Sequence, residues 1–234
     1  VVTERRGRYR EMATEQVRSS PFGQGWATPS TITPDTGSAG LATPEPPRRP
    51  VDSDLVEVAS AMVPGKALDL GCGQGQDSVW LAQRGWIVTA VDRSPSAVAD
   101  GRELARAAGV DRTIVFDVAD LATWTPASRY DLVFCTFSLP ARGMGRSRML
   151  DMAAAAVAPG GTILLTDFDR SLGREGWMAE KHLVSLEELE RHLAGFRVDR
   201  SAVRRVRHRH GYEERVLPAA NIIATRRTDL REPF

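Results

Sequence analysis

From about residue 51 onward the apolar positions fall into short blocks that alternate between helical and extended spacing, with turn-forming residues between them. Leu55, Val56, Val58, Ala59 and Met62 mark a helix over 51–63 that Pro64-Gly65 stops. The run Ala67-Leu-Asp-Leu70 predicts a first strand, and Val79, Trp80, Leu81 and Ala82 predict a helix ending at Gly85. A second strand over 86–91 delivers Asp92. Ser94-Pro95 then opens a helix to Ala108, because serine caps exposed N–H groups while proline fits the first turn. Strands are expected at 113–116, 131–136 and 162–166, with a helix over 147–157 and a Pro159-Gly160-Gly161 turn before the last of them. Ser185 and Glu188 form a capping box for a helix through Leu186, Leu189 and Leu193, and two extended segments follow at 197–209 and 216–226. Regular strand–helix alternation predicts an α/β fold with a doubly wound, mostly parallel sheet covered on both faces.

Residues 19–50 break this pattern. They hold seven of the fourteen prolines, four glycines and nine Ser or Thr, a composition that builds no core. The expected organisation is therefore a flexible segment over 1–50 and one domain over 51–234. Phe22 and Trp26 are apolar exceptions within the segment; they are either incidental or part of a lid closing over a bound substrate.

The chemistry concentrates where strand one ends. Ala67-Leu-Asp-Leu-Gly-Cys-Gly-Gln-Gly75 places Gly71, Gly73 and Gly75 at alternate positions, where positive φ and a missing Cβ let backbone N–H groups approach a ligand. Asp92 stands 21 residues after Gly71, the spacing at which a second-strand acid reaches ribose hydroxyls in doubly wound folds. A nicotinamide-type loop would carry its third glycine five positions after the first, where this chain has Gln76. A dehydrogenase is disfavoured on that ground.

The loop and its acid resemble motif I and the acidic partner of class I S-adenosylmethionine-dependent methyltransferases, with every position of the pattern filled. Within that superfamily, Leu-Asp-Leu-Gly-Cys-Gly-Gln-Gly-Gln-Asp-Ser and Gly-Trp-Ile-Val-Thr-Ala-Val-Asp look most like the small tellurite-resistance-type and thiopurine-type enzymes. The resemblance implies a Rossmann-like, seven-stranded sheet and S-adenosylmethionine as cofactor, leaving S-adenosylhomocysteine as product. It assigns Asp69 and the loop (Gly71, Cys72, Gly73, Gly75) to the methionine part and Asp92, followed by Arg93, to the ribose. Asp117 and Val118 go to the adenine edge, and Cys135 and Thr136 lie beneath the sulfonium. Trp26, Phe137 and Asp167 are the expected substrate contacts. Should the acceptor need a base, Asp167, Asp169 and His182 are the candidates, and none is singled out. The bland alternatives are that Asp69 orients the loop, that Asp117 or Asp120 is a turn residue, and that Asp167 and Asp169 form a solvated turn paired with Arg170.

Net charge of +1 gives no overall drive toward nucleic acid or membrane. The run Arg204-Arg205-Val-Arg207-His-Arg209-His210 reads as a solvated edge strand, with RNA contact as its specific competitor. No metal-ligand spacing is present: His208 and His210 could share an ion from one strand face, but a third ligand is not evident. Two cysteines predict free thiols. With no apolar run of membrane-spanning length and no secretory core at residue 1, a cytoplasmic protein is expected. The expected reaction is in-line methyl transfer to a small molecule; the rivals are an RNA or protein methyltransferase and a non-catalytic S-adenosylmethionine-binding protein. Oligomeric state is not written in the sequence.

Overall fold

The computed structural model describes residues 50–175, 178–210 and 213–228, which belong to one compact unit. Twelve elements carry the fold: α1 (Ser53–Ser60), β1 (Lys66–Leu70), α2 (Gln76–Ala82), β2 (Ile87–Asp92), α3 (Pro95–Ala107), β3 (Ile114–Val118), β4 (Tyr130–Thr136), α4 (Met144–Ala156), β5 (Val157–Phe168), α5 (Leu186–Glu190), β6 (Phe196–His210) and β7 (Glu213–Arg226). The seven strands form one sheet in the order β3-β2-β1-β4-β5-β7-β6. Neighbours from β3 to β5 run parallel, and β7 joins antiparallel to both β5 and β6. Strand order reverses beside β1, so the carboxyl ends of β1, β2 and β4 frame the crevice in which such sheets bind ligands.

Two apolar layers hold the sheet. Leu68, Leu70, Val133, Cys135 and Ile163 pack with Met149 and Leu150 of α4 and Leu189 of α5. Ala67, Leu132 and Phe134 face the other way, onto Leu55 of α1, Leu81 of α2 and Val98 of α3, with Trp86 sealing the layer. Central strands buried on both faces explain why their sequences read as continuous apolar runs.

Caps fix where the helices begin. Asp52 accepts the Asp54 and Leu55 N–H groups (2.9 and 3.1 Å), Ser94 accepts that of Ala97 (3.2 Å) and Ser185 that of Glu188 (3.3 Å). Among the expected boundaries that move, two have a visible cause. The helix opened by Ser185 stops at Glu190, leaving Leu193 in the following turn, where its N–H reaches the Glu190 carbonyl (3.0 Å). Strand β5 starts at Val157, because Pro159-Gly160-Gly161 forms a bulge within it: pairing with β4 jumps from Tyr130↔Val157 to Leu132↔Thr162. Gly161 has to be glycine there, since a Cβ would meet three backbone carbonyl oxygens at 2.9 to 3.0 Å.

Candidate functional site

The loop between β1 and α2 sits at the reversal point. Gly71, Gly73 and Gly75 all adopt left-handed backbone (φ 83°, 52° and 76°). The N–H groups of Gly71 and Cys72 share the Val91 carbonyl (2.8 and 3.1 Å), which clamps the loop to the end of β2. Each glycine is needed for a different reason. At Gly71 a Cβ would lie 2.2 Å from the Ser138 Cβ, and at Gly75 it would press on the Phe116 ring at 3.0 Å and on Gly101. At Gly73 a Cβ would meet nothing within 4 Å. The loop therefore offers open space over Gly73, bordered by backbone, which a Cβ would begin to fill.

Asp92 closes this space from the neighbouring strand. Its Oδ2 accepts the Gly73 N–H (2.8 Å) and its Oδ1 the Ser94 N–H (2.9 Å), so the carboxylate ties the loop to the start of α3. Each oxygen keeps a lone pair for a hydroxyl donor. Asp117 and Val118 follow at the tip of β3, where Val118 is Asp92's register partner and is 46% exposed. Arg93 is exposed beside them.

Other expected contacts lie deeper. Asp69 is buried and accepts the Ser78 hydroxyl (2.7 Å), locking β1 to α2. Thr136 is buried with its hydroxyl on Asp77 Oδ2 (3.3 Å), while Asp77 Oδ1 accepts the Asp52 N–H (3.0 Å). Cys135 requires a correction: its side chain is fully buried in the layer with Leu68, Leu70 and Met149, because alternate residues of β4 face opposite sides. Its thiol is a core group. Burial, with Asp167 and Asp69 nearby, pushes that thiol far above the ordinary cysteine range, and burial with Asp69 and Asp92 does the same to Cys72. Both remain neutral.

Asp167 and Asp169 do not form a solvated turn. Asp167 is 4% exposed and accepts the N–H groups of Leu139 (2.9 Å) and Phe168 (2.7 Å). It thus braces the β4–α4 connection rather than opening onto a substrate. Burial raises its carboxyl to about 6, against the lowering effect of those N–H donors and of Arg146. Asp169 is likewise buried and accepts the Ser171 N–H (2.9 Å), while Arg170 pairs with Glu188 (3.4 Å). His182 is exposed. Trp26 lies outside the described residues.

Phe137 directly follows β4 and has φ 56°, the sole non-glycine residue with positive φ among the described ones. Its N–H is fixed on the Thr166 carbonyl (2.8 Å), and its ring stands 4.9 Å from that of Phe168. Such backbone costs a bulky residue about 1–2 kcal/mol and persists only where its surroundings enforce it, a situation common in functional sites.

Sequence reasoning missed four contributors. Ser138 donates to the carbonyls of Gly71 (2.9 Å) and Thr136 (3.2 Å); its role depends on a 67-residue separation that no local pattern reveals. Asp77 lay unassigned inside the quoted Gln-Asp-Ser stretch. Arg146, 1% exposed, donates to the carbonyls of Pro140, Leu183 and Lys181 and to Glu188, which binds these segments to one another. His208, weighed as a metal ligand and within the basic strand, meets the Phe137 and Phe168 rings. No group of three or more His, Cys, Asp or Glu is arranged to hold a metal among the described residues, and no helix among them is long and apolar enough to cross a membrane.

Residues 67–161 match the family described as "Methyltransferase domain". The trans-aconitate 2-methyltransferase of Streptomyces avermitilis is 34% identical over 103 residues, 43% of this chain and 38% of that protein. The 2-heptyl-1-hydroxyquinolin-4(1H)-one methyltransferase of Mycobacteroides abscessus is 28% identical over 130 residues, 53% of this chain and 55% of that one. The chain thus spans about half or less of the length of these curated relatives. Among solved structures, TehB from Haemophilus influenzae superposes with a TM-score of 0.65 at 18% identity, covering 76% of this chain and 63% of that one. This likeness supports the doubly wound, Rossmann-like fold.

Proposed function

We propose, from the premise that this chain carries a class I methyltransferase domain, that it binds S-adenosylmethionine at the β1–α2 loop and transfers its methyl group to a small molecule. The observation that carries the reading is the pairing of left-handed glycines, with open space over Gly73, and an Asp92 carboxylate already oriented by the Gly73 and Ser94 N–H groups. Asp92 would hold the ribose hydroxyls, and Asp117 with the Val118 N–H the adenine edge. The loop N–H groups would hold the methionine end. When bound, the cofactor supplies an electrophilic methyl group on a sulfonium; the chain's own residues supply alignment and exclusion of water.

A small-molecule acceptor is favoured over RNA by what the basic strand already does. Arg200 and Arg204 are paired with Asp54 and Glu57 of α1, and Arg205 donates to the Val216 carbonyl (3.1 Å), which supports a structural role for this part of the strand over phosphate tracking. The curated relatives named for trans-aconitate and a hydroxyquinolone point the same way. Two buried free thiols suit a reducing compartment.

The test is calorimetric titration of S-adenosylhomocysteine into wild type and Asp92→Ala, followed by labelling of a cell extract with radiomethyl S-adenosylmethionine. Losing two charge-assisted hydrogen bonds should weaken binding about 100-fold or more. Unchanged affinity in Asp92→Ala would sink the site, and label confined to macromolecules would overturn the small-molecule assignment. Binding without any turnover would leave the chain a non-catalytic S-adenosylmethionine-binding protein.

A further inference from the structure

The hairpin of β6 and β7 outruns the rest of the sheet. Pairing of β7 with β5 ends at Ala219↔Phe168, yet the β6–β7 ladder continues through Val206↔Leu217 and Arg207↔Val216 to His208↔Arg215. The projecting part curls over the strand ends. His208 lies 5.1 Å from the Phe137 ring and 4.8 Å from the Phe168 ring, edge-on to the latter, and these two rings are 4.9 Å apart. Three rings from three strand ends therefore meet at mutual distances typical of attractive aromatic pairs. Phe168 itself belongs with Leu172, Leu183 and Leu217 to a separate buried cluster, against which Phe137 packs while only partly buried. Phe137 and His208 are half-buried, so each keeps part of its surface exposed.

Position gives this cluster its meaning. Phe137 follows Thr136 at the end of β4, and the next residue, Ser138, is bonded to the Gly71 carbonyl of the glycine loop (2.9 Å). The rings thus begin one residue from the loop proposed to hold the cofactor, on the side where β5 and the hairpin close the crevice. A core-filling role would not need a bulky residue in left-handed backbone, since any apolar side chain in ordinary strand conformation can fill an interior.

We propose that Phe137 and His208, backed by the buried Phe168 ring, form the acceptor-side wall, selecting a planar, unsaturated acceptor, with the His208 imidazole supplying the wall's polar edge. The inference rests on the methyltransferase reading above and adds the class of acceptor. The ring faces stack on a flat π-system, and the imidazole can hydrogen-bond a hydroxyl or carbonyl at its rim. An aliphatic polyacid finds no flat complement on these faces. His208 is a positioning residue in this account, and the methyl transfer itself passes through none of the three rings.

The test uses the full chain loaded with S-adenosylhomocysteine and two probes of opposite shape, 2-heptyl-1-hydroxyquinolin-4(1H)-one and trans-aconitate. The hydroxyquinolone should bind and trans-aconitate should bind at least tenfold more weakly. His208→Ala and Phe137→Ala should each weaken hydroxyquinolone binding about tenfold while leaving S-adenosylhomocysteine affinity within twofold, and His208→Phe, which keeps a ring but loses the polar edge, should recover only part of the loss. With S-adenosylmethionine and the hydroxyquinolone as acceptor, the same substitutions should raise KM and change kcat less than threefold. Absence of hydroxyquinolone binding, preference for trans-aconitate, or His208→Ala affinity within twofold of wild type would overturn the proposal. Failure of wild type to bind S-adenosylhomocysteine would instead overturn the cofactor reading beneath it.

Discussion

Replacing Arg146 by methionine should cost this fold about 4 kcal/mol, although the residue touches neither the glycine loop nor Asp92. Its guanidinium is 1% exposed, and its Nε donates to the Pro140 carbonyl (2.7 Å), Nη1 to the Leu183 carbonyl (2.9 Å) and Glu188 Oε1 (3.1 Å), and Nη2 to the Lys181 carbonyl (2.9 Å). Methionine fills much of the volume but leaves three carbonyls without this donor and takes from Glu188 its buried partner. An unsatisfied buried acceptor costs about 1–3 kcal/mol, and breaking one side of a buried ion pair about 3–5 kcal/mol. Water can reach the carbonyls of Pro140 and Lys181, where the bonds are part-buried, and Arg170 still lies 3.4 Å from Glu188. The sum therefore settles near the middle of that range. With a urea slope of about 2 kcal/mol/M, the unfolding midpoint should fall by about 2 M. Arg146→Lys, which keeps the charge but cannot reach four acceptors in a plane, should fall roughly half as far. A midpoint shift below about 0.5 M for the methionine variant would refute the claim that this arginine binds the 140, 181–183 and 188 regions together.

Other outcomes follow from the same geometry. Gly73→Ala should fold with a cost of about 1 kcal/mol, because its φ of 52° is strained for alanine but its Cβ meets nothing, and calorimetry should show S-adenosylhomocysteine affinity reduced about tenfold or more. Gly71→Ala should instead lose about 2 kcal/mol or more in urea unfolding, since its Cβ collides with Ser138. Asp167 is protonated more readily when folded, with its carboxyl raised from 3.8 to about 6, so its contribution to stability is full below pH 4 and is lost as pH rises through 6. Stability of wild type relative to Asp167→Asn should accordingly fall by about 2 kcal/mol between pH 4 and pH 7, and a flat difference across urea curves in that window would contradict the burial argument. Phe137→Gly exchanges lost ring burial for released backbone strain, so its stability should stay within about 1 kcal/mol of wild type, against the 3–5 kcal/mol typical when a core phenylalanine is truncated.

What the sequence made legible is what local rules encode. The apolar runs at 67–70 and 131–136 could only be strands covered on both sides, and Ser94-Pro95 and Ser185 announced their helices by capping chemistry alone. The glycine loop was readable because positive φ has a residue signature. Phe137 was not readable for the same reason in reverse: nothing in Thr136-Phe137-Ser138 advertises a left-handed phenylalanine, which the Thr166 carbonyl imposes from a neighbouring strand. The resemblance placed Cys135 and Thr136 together beneath the sulfonium, whereas the pleat sends one side chain into the core and the other toward Asp77. Histidine 208 shows the same limit at longer range. The alternation of Arg205, Arg207 and His208 across the strand was legible, but the curl that brings His208 onto Phe137, 71 positions earlier in the chain, depends on how far β6 and β7 continue beyond β5. The cofactor end proposed here draws on the motif at 67–75 and on acids at the tips of the next two strands, all placed by local patterns. The proposed acceptor wall depends instead on contacts between the ends of β4, β5 and β6, which no local pattern records.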